Sequence, residues 1–168
     1  QGVMYVMDED QRGAPVLKQL AGYADAPPGE RARQYRIGEG LVGQCAAERQ
    51  RILLADIPDD SIRIGAGLVS ARPQNVIVRP VLFEGEVKAV IELASLSRFT
   101  ASHLGLLEQL TGSIGIVLNT IEATMRTEGL LRQSQDLAAG LQAQQRGPQQ
   151  TNEGLGQKAR KPAAETGG

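Results

Sequence analysis

The 168-residue chain has few aromatic residues, one cysteine and one histidine. It contains no Trp, aromatic residues make up 3% of the sequence, and Cys45 and His103 are its only residues of their types. A single cysteine excludes an internal disulfide and a cysteine-rich metal site. The scarcity of aromatic side chains argues against a surface on which nucleic-acid bases stack, and 18 basic against 19 acidic residues give no strong field of one sign. We therefore predict no nucleic-acid partner.

Long apolar runs are also missing. No uninterrupted run approaches the ~18 residues typical of a membrane-spanning helix, and no signal-peptide pattern is present. We accordingly predict a cytoplasmic location and no membrane insertion of this segment. The hydrophobic content of 41% in 168 residues is enough for one domain with an appendage.

The strongest periodic pattern predicts a long helix from Thr100 to about Gln145. The Thr100 hydroxyl can accept a hydrogen bond from a first-turn amide, which is typical of a helix start. Apolar residues then recur every three or four positions, and beyond Met125 they thin to a narrower seam of the kind that two helices share. This pattern predicts a homodimer formed through the C-terminal helix. The two sets are Leu104, Leu107, Leu110, Ile114, Val117, Leu118 and Ile121, followed by Leu130, Leu131, Leu137 and Leu141.

Strand-like and turn-like segments alternate before this helix. A first hairpin is predicted from Gly2–Met7 and Val16–Tyr23, followed by a short helix over Leu41–Ala47 and a strand over Ile52–Ala55. The segment 56–75, rich in Gly, Pro, Asp and Ser, is the longest irregular stretch. Such loops are usually functional or disordered.

A second hairpin is predicted from Val76–Phe83 and Glu86–Ala94. With a tight two-residue turn, Arg79 would lie opposite Val90, and Arg79 and Glu92 would be diagonal neighbours on a mixed face. The wholly apolar face would then meet the long helix. The charge pair could hold a small polar ligand, and the alternative is a structural ion pair on a half-exposed face.

If a ligand binds, we expect it over this mixed face, with loop residues closing over it. In the competing interpretation the loop packs down and the pocket is filled by the chain's own side chains. The sequence predicts no catalytic residue and no metal ligand. The candidate ligand-binding residues are Arg79, Glu92, Leu41, Cys45, Ser61, Ile62, Ile64, Leu68 and Asn75.

Three ordered features carry a resemblance to a known family. They are the Arg36–Gly43 segment of sequence RIGEGLVG, the Asp56-Ile57-Pro58 triplet and the Gly85–Leu93 strand. In this order they resemble a GAF domain, over roughly residues 2–122. The segments Met125–Glu128, Leu130–Gln135 and Gln149–Glu153 resemble the linker that joins such domains to the kinase in bacterial hybrid sensor histidine kinases. Residues 123–145 are therefore assigned to a signalling helix or coiled coil. Residues 146–168 are predicted to be a disordered tail.

The resemblance implies an α+β, PAS-like fold, with an antiparallel sheet, helices on one face and a ligand pocket or its vestige on the other. It also implies a dimeric two-component signalling protein with a downstream kinase domain. Two features depart from the family pattern. The usual opening helix is missing, and Gly147 and Pro148 interrupt the linker helix.

The resemblance also suggests specific activities that the residues do not support. Some GAF proteins reduce free methionine sulfoxide, but that chemistry needs a second thiol to resolve the first, and Cys45 is alone. The Asn-Lys-Phe-Asp-Glu series typical of cyclic-nucleotide binding is absent, and Cys45 lacks the neighbouring His of many bilin attachment sites. Kinase motifs are also absent. We therefore predict a non-catalytic sensory module whose ligand or cofactor is unknown, or alternatively a ligand-free dimerisation and interaction module.

Overall fold

The computed structural model describes residues 1–24, 33–55, 57, 64–66 and 69–158. The chain divides into two compact units, Gln1–Ile121 and Glu122–Gly168. The first unit contains all the strands, the first helix and the beginning of the second helix. The second unit, as far as the structure describes it, is the remainder of that second helix.

The first unit is built on a six-stranded antiparallel sheet of order β3-β2-β1-β8-β7-β4. A separate antiparallel pair, β5 and β6, lies within the segment predicted to be irregular. This architecture confirms the predicted α+β fold class. The strands are β1 (Gly2–Glu9), β2 (Pro15–Tyr23), β3 (Gln34–Arg36), β4 (Ile52–Ala55), β5 (Ile64–Ala66), β6 (Val69–Ala71), β7 (Asn75–Phe83) and β8 (Glu86–Ser95).

Helix α1 (Gly40–Glu48) begins at the glycine-rich motif seen in the sequence. Gly38 and Gly40 have φ of 85° and 60°, in the left-handed region that glycine tolerates. A Cβ on Gly43 would collide with the Arg36 carbonyl oxygen, so this position requires the close approach that only glycine permits. The motif therefore shapes the entry to α1.

The main core lies between α1 and one face of the sheet. Val42, Cys45 and Ala46 of α1 pack with strand residues such as Val78 and Val90. Burying a side chain of this kind stabilises the fold by roughly 1.5–3 kcal/mol for Val relative to leaving it exposed. The strand residues of this cluster are Val3, Tyr5, Leu17, Val76, Val78 and Val90.

The β7–β8 hairpin contains a bulge that the sequence analysis did not anticipate. Its turn pair, Phe83 with Glu86, is as predicted, but the register shifts between Val81 and Leu82, where Lys88 is the extra residue on β8. Arg79 therefore lies opposite Ile91, and the prediction that it lies opposite Val90 is wrong. A shift of one residue reverses which side chains of β8 share a face with those of β7.

The reversal changes which face meets each helix. Val78 belongs to the core under α1, whereas its neighbour Arg79 donates a hydrogen bond to Thr111 of the second helix. The prediction that the wholly apolar face meets the long helix is therefore wrong for β7. A Cβ on Gly115 would collide with the Leu82 carbonyl oxygen, so the helix and the strand lie very close together at this glycine.

Helix α2 (Ala101–Lys158) starts where the sequence predicts. The His103 amide donates to the Thr100 hydroxyl at 3.3 Å, which confirms the predicted cap. The backbone remains helical through Gly147 and Pro148 to Lys158, beyond the end near Gln145 that the sequence suggests. Residues 159–168 lie outside the described part of the chain, and the disordered tail stays a prediction.

Between Ala101 and Gln142, α2 is long and apolar enough to cross a membrane, judged by length and composition alone. One such helix is weak support for a membrane span, because core helices of soluble proteins meet the same criterion. The sequence-based prediction that this segment does not insert into a membrane therefore stays a prediction.

Candidate functional site

The structure does not bring the predicted site residues together on one surface. Glu92 pairs with Val78 on β8 and β7, and Arg79 is the next residue along β7, so Arg79 and Glu92 belong to opposite faces of the sheet. They are not the diagonal neighbours that the sequence analysis expected. Ile64 is a buried residue of β5. Ser61, Ile62 and Leu68 lie outside the described residues.

Two further predicted residues, Leu41 and Cys45, belong to the core under α1. The Cys45 thiol is buried and donates to the Gln50 carbonyl oxygen at 3.2 Å. Burial, followed by the nearby Glu48 carboxylate, raises the pKa of Cys45 to about 12. The thiolate needed for nucleophilic or redox chemistry is therefore scarce at neutral pH.

Asn75 acts as a structural clamp. Its side chain is buried; Nδ2 donates to the Leu54 carbonyl oxygen and Oδ1 accepts from the Phe99 amide, both at 3.2 Å. These bonds tie β4 to the connection that leads into α2. Asn75 thus has partners for both ends of its amide, and its role in the described structure is to hold this connection in place.

Arg79 is the predicted residue that lies in a polar concavity. Its side chain is 15% exposed, its Nε donates to Thr111 Oγ1 at 3.1 Å, and its Nη2 lies 3.4 Å from Glu108 Oε1. The Thr111 hydroxyl in turn donates to the Leu107 carbonyl oxygen at 2.9 Å. Arg79 therefore connects β7 to the first turns of α2 through a half-buried polar network.

A cavity of about 250 Å³ surrounds this network. Three arginines meet there: Arg49 and Arg51 lie in the short connection between α1 and β4, and Arg79 lies in β7. Four of the lining residues were not predicted from the sequence: Arg49, Arg51, Glu108 and Thr111. The cavity is lined by Arg49, Arg51, Arg79, Pro80, Leu82, Glu108, Thr111 and Gly112.

The register of β4 against β7 explains why two of these arginines meet. Ile52 pairs with Val78 and Leu53 with Ile77, so extending the register by one residue places Arg51 level with Arg79. Residues level on paired antiparallel strands share a face. Knowing that β4 pairs with β7 would have predicted this cluster. That pairing cannot be deduced from the sequence of either strand alone. Among the described residues, no group of three or more His, Cys, Asp or Glu side chains could hold a metal ion.

Comparison with solved structures identifies the fold. A type II free methionine-R-sulfoxide reductase from Thermoplasma acidophilum is 16% identical, with a TM-score of 0.53 over 71% of this chain and 78% of the other. The GAF domain of a phosphoenolpyruvate-protein phosphotransferase from Acinetobacter is 17% identical, with a TM-score of 0.53 over 73% and 72%. The GAF domain of a two-component sensor histidine kinase from Bacillus halodurans is 14% identical, with a TM-score of 0.51 over 73% and 84%.

At these identities the structural neighbours show the fold alone. None of the curated protein sequences compared with this chain matches it significantly. A family model described as GAF domain, however, matches residues 1–119, which is most of the chain. That match covers β1 to β8, α1 and the first turns of α2, the same elements that form the sheet and the core. The chain therefore belongs to the GAF domain family.

Proposed function

We propose that this chain is a non-catalytic sensory and regulatory module of a two-component signalling protein, located in the cytoplasm. It forms a homodimer through α2 and passes changes in packing along that helix to a downstream kinase domain. Membership of the GAF family and the sensor-kinase GAF domain among its structural neighbours support this proposal. The buried Cys45 thiol, with its pKa of about 12, supports a non-catalytic role.

The observation that carries the proposal is an exposed apolar stripe on α2 in the first unit. Its residues are between 46% and 57% exposed, whereas Thr111 and Gly115 of the same helix are buried against the sheet. The stripe follows spacings of four, seven and four residues, which place its members along one side of a helix. We define the stripe as Leu106, Leu110, Val117 and Ile121.

The second unit presents a comparable apolar seam. Leu130, Leu137 and Leu141 are each more than 60% exposed and are spaced by seven and then four residues. Apolar residues at such intervals are typical of helices that pack against an identical helix. We therefore propose that a second copy of the chain covers these leucines, because a parallel second helix would present the same leucines at the same positions along its length.

The oligomeric state of the full chain tests this proposal. Sedimentation equilibrium should show a dimer for the native chain and a shift toward monomer for Leu137→Ser, since each Leu buried at the interface contributes roughly 1.5–3 kcal/mol. The matched control is Gln135→Ser, a neighbouring substitution off the seam that should leave the dimer intact. A native chain that stays monomeric at all concentrations would overturn the proposal. A monomer that floats with lipid vesicles would instead assign the apolar residues to a membrane.

One observation favours the second candidate, a ligand-free interaction module. Tyr5, Leu17 and Val78 are fully buried on the α1 side of the sheet, so the chain's own side chains fill much of that region. Native mass spectrometry separates the two candidates. A dimer that retains additional mass supports a liganded sensor, and a dimer with no additional mass supports the ligand-free module.

A further inference from the structure

We propose that the cavity between β4, β7 and α2 binds a small oxyanion with two negative charges. We call it the arginine cavity and define it by Arg49, Arg51, Arg79, Glu108 and Thr111. It lies on the α2 face of the sheet, opposite the core under α1. This inference deepens the proposed function by naming a ligand class, but its binding test does not depend on the oligomeric state.

Charge is the first argument. Three guanidinium groups and one carboxylate line the arginine cavity, so the lining groups carry a formal excess of two positive charges. The Glu86 carboxylate, which is not part of the lining, lies 3.9 Å from the Arg49 guanidinium group, and both side chains are more than half exposed. Arg51 directly precedes the first paired residue of β4, Ile52, which lies opposite Val78, and both Arg51 and Arg79 line the cavity. Like charges gathered around one small cavity repel each other, and a bound anion would offset that repulsion.

The remaining hydrogen-bonding capacity of Arg79 is the second argument. A guanidinium group has five N–H donors, and the contacts of Arg79 to Thr111 and Glu108 use two of its nitrogens. Its 15% exposure keeps it close to the low-dielectric interior, where a charge-assisted hydrogen bond is stronger than in water. Arg79 can therefore anchor an anion at the inner end of the cavity.

Glu108 is the third argument, because it behaves as a replaceable partner. Its side chain is 72% exposed and its carboxylate approaches Arg79 only to 3.4 Å. Because most of the Glu108 side chain is exposed, its carboxylate can leave Arg79 and be solvated by water. An incoming oxyanion would compete with the Glu108 carboxylate for the same guanidinium group.

The chemistry of the lining selects the ligand class. Planar guanidinium groups bind carboxylates and phosphates through paired N–H donors, and a phosphate ester carries about −1.5 to −2 charge at pH 7. A phosphate group and a short dicarboxylate both match the excess charge of the cavity. The shared chemistry is that of a compact dianion, and titration with one probe of each kind distinguishes the two sources.

Isothermal titration calorimetry on the full chain tests the site. Inorganic phosphate and succinate are the two dianionic probes, and sodium acetate at matched ionic strength is the monovalent control. At least one dianion should bind saturably and about tenfold or more tightly than acetate. Arg51→Gln should weaken that binding about tenfold, whereas Arg12→Gln, an exposed arginine outside the cavity, should leave it unchanged.

A second variant moves the affinity in the opposite direction and does not depend on removing an arginine. Glu108→Gln deletes the competing carboxylate, so dianion binding should tighten severalfold. Glu128→Gln, on the same helix but outside the cavity, is its matched control. Equal binding of dianions and acetate, or an unchanged affinity in both Arg51→Gln and Glu108→Gln, would overturn the inference. A dimer that binds no dianion would overturn this inference alone and leave the proposed function standing.

Discussion

Substituting Gly115 by Ala tests how closely α2 packs against the sheet. The added Cβ would collide with the carbonyl oxygen of Leu82, a backbone atom that cannot rotate away, and would also contact the Val81 side chain. Overpacking of this kind costs typically 1–3 kcal/mol. Alanine, however, is favoured over glycine inside a helix by roughly 1 kcal/mol, which offsets part of that cost.

Gly105→Ala is the matched control, because a Cβ at Gly105 has no neighbour within 4 Å. It gains the same helix propensity of roughly 1 kcal/mol without the collision. The free energy of unfolding of Gly115→Ala should therefore lie about 1–3 kcal/mol below that of Gly105→Ala, since the propensity gain cancels in the comparison.

Urea denaturation followed by circular dichroism measures this difference, provided that both variants show a single transition with the slope of the native chain. Equal stabilisation by the two substitutions would refute the close approach of α2 to Leu82. A reduced slope confined to Gly115→Ala would indicate that α2 separates from the sheet before the remaining structure unfolds.

Two further predictions concern buried polar groups. Burial raises the pKa of Cys45 to about 12, so iodoacetamide at pH 8 should leave the folded chain unmodified and should alkylate the chain fully in urea. Mass spectrometry measures the alkylation. Rapid alkylation of the folded chain would contradict the burial of Cys45. Asn75→Ala leaves the Leu54 carbonyl and the Phe99 amide without this partner, so it should lower the free energy of unfolding by about 1–3 kcal/mol. The control Gln74→Ala, at an exposed neighbouring position, should have little effect. Equal effects of the two substitutions would show that Asn75 does not hold this connection in place.

Local sequence signals predicted the individual elements well. Strand β4 has the predicted limits, the two large hairpins were recognised, and Thr100 begins α2 through the predicted cap. These features depend on residues close together in sequence, such as a capping hydroxyl or a turn between two apolar runs. The ordered set of three sequence features indicated the GAF fold. In the structure, Gly38 and Gly40 have positive φ values, and Gly43 lies close to the Arg36 carbonyl oxygen.

The site was harder to predict because it depends on one bulge. Lys88 adds a residue to β8, and this single insertion moves Glu92 to the face opposite Arg79. No residue type at that position signals a bulge, so the side chains of β8 were expected to alternate regularly between the two faces of the sheet. That expectation placed Glu92 on the same face as Arg79, which is wrong. Arg49 and Arg51 were missed for a related reason, since only the pairing of β4 with β7 brings them to Arg79.

The two proposals meet at α2. The residues that line the arginine cavity include Glu108 and Thr111 of α2, and the buried side of the same helix contacts β7 at Gly115. An anion held by Arg51 and Arg79 would change the contact between Arg79 and Glu108, which links the sheet to this helix.

A ligand can shift such a helix only by the difference between its affinities for two packings. A tenfold preference for one packing corresponds to about 1.4 kcal/mol, similar to the net contribution of one or two hydrogen bonds. Exchange of the Glu108 carboxylate for a bound dianion would alter contacts of this kind at Arg79. If α2 is a dimer helix, the same exchange occurs in both copies, so the arginine cavity can bias the packing of the paired helices without a ligand in the core under α1.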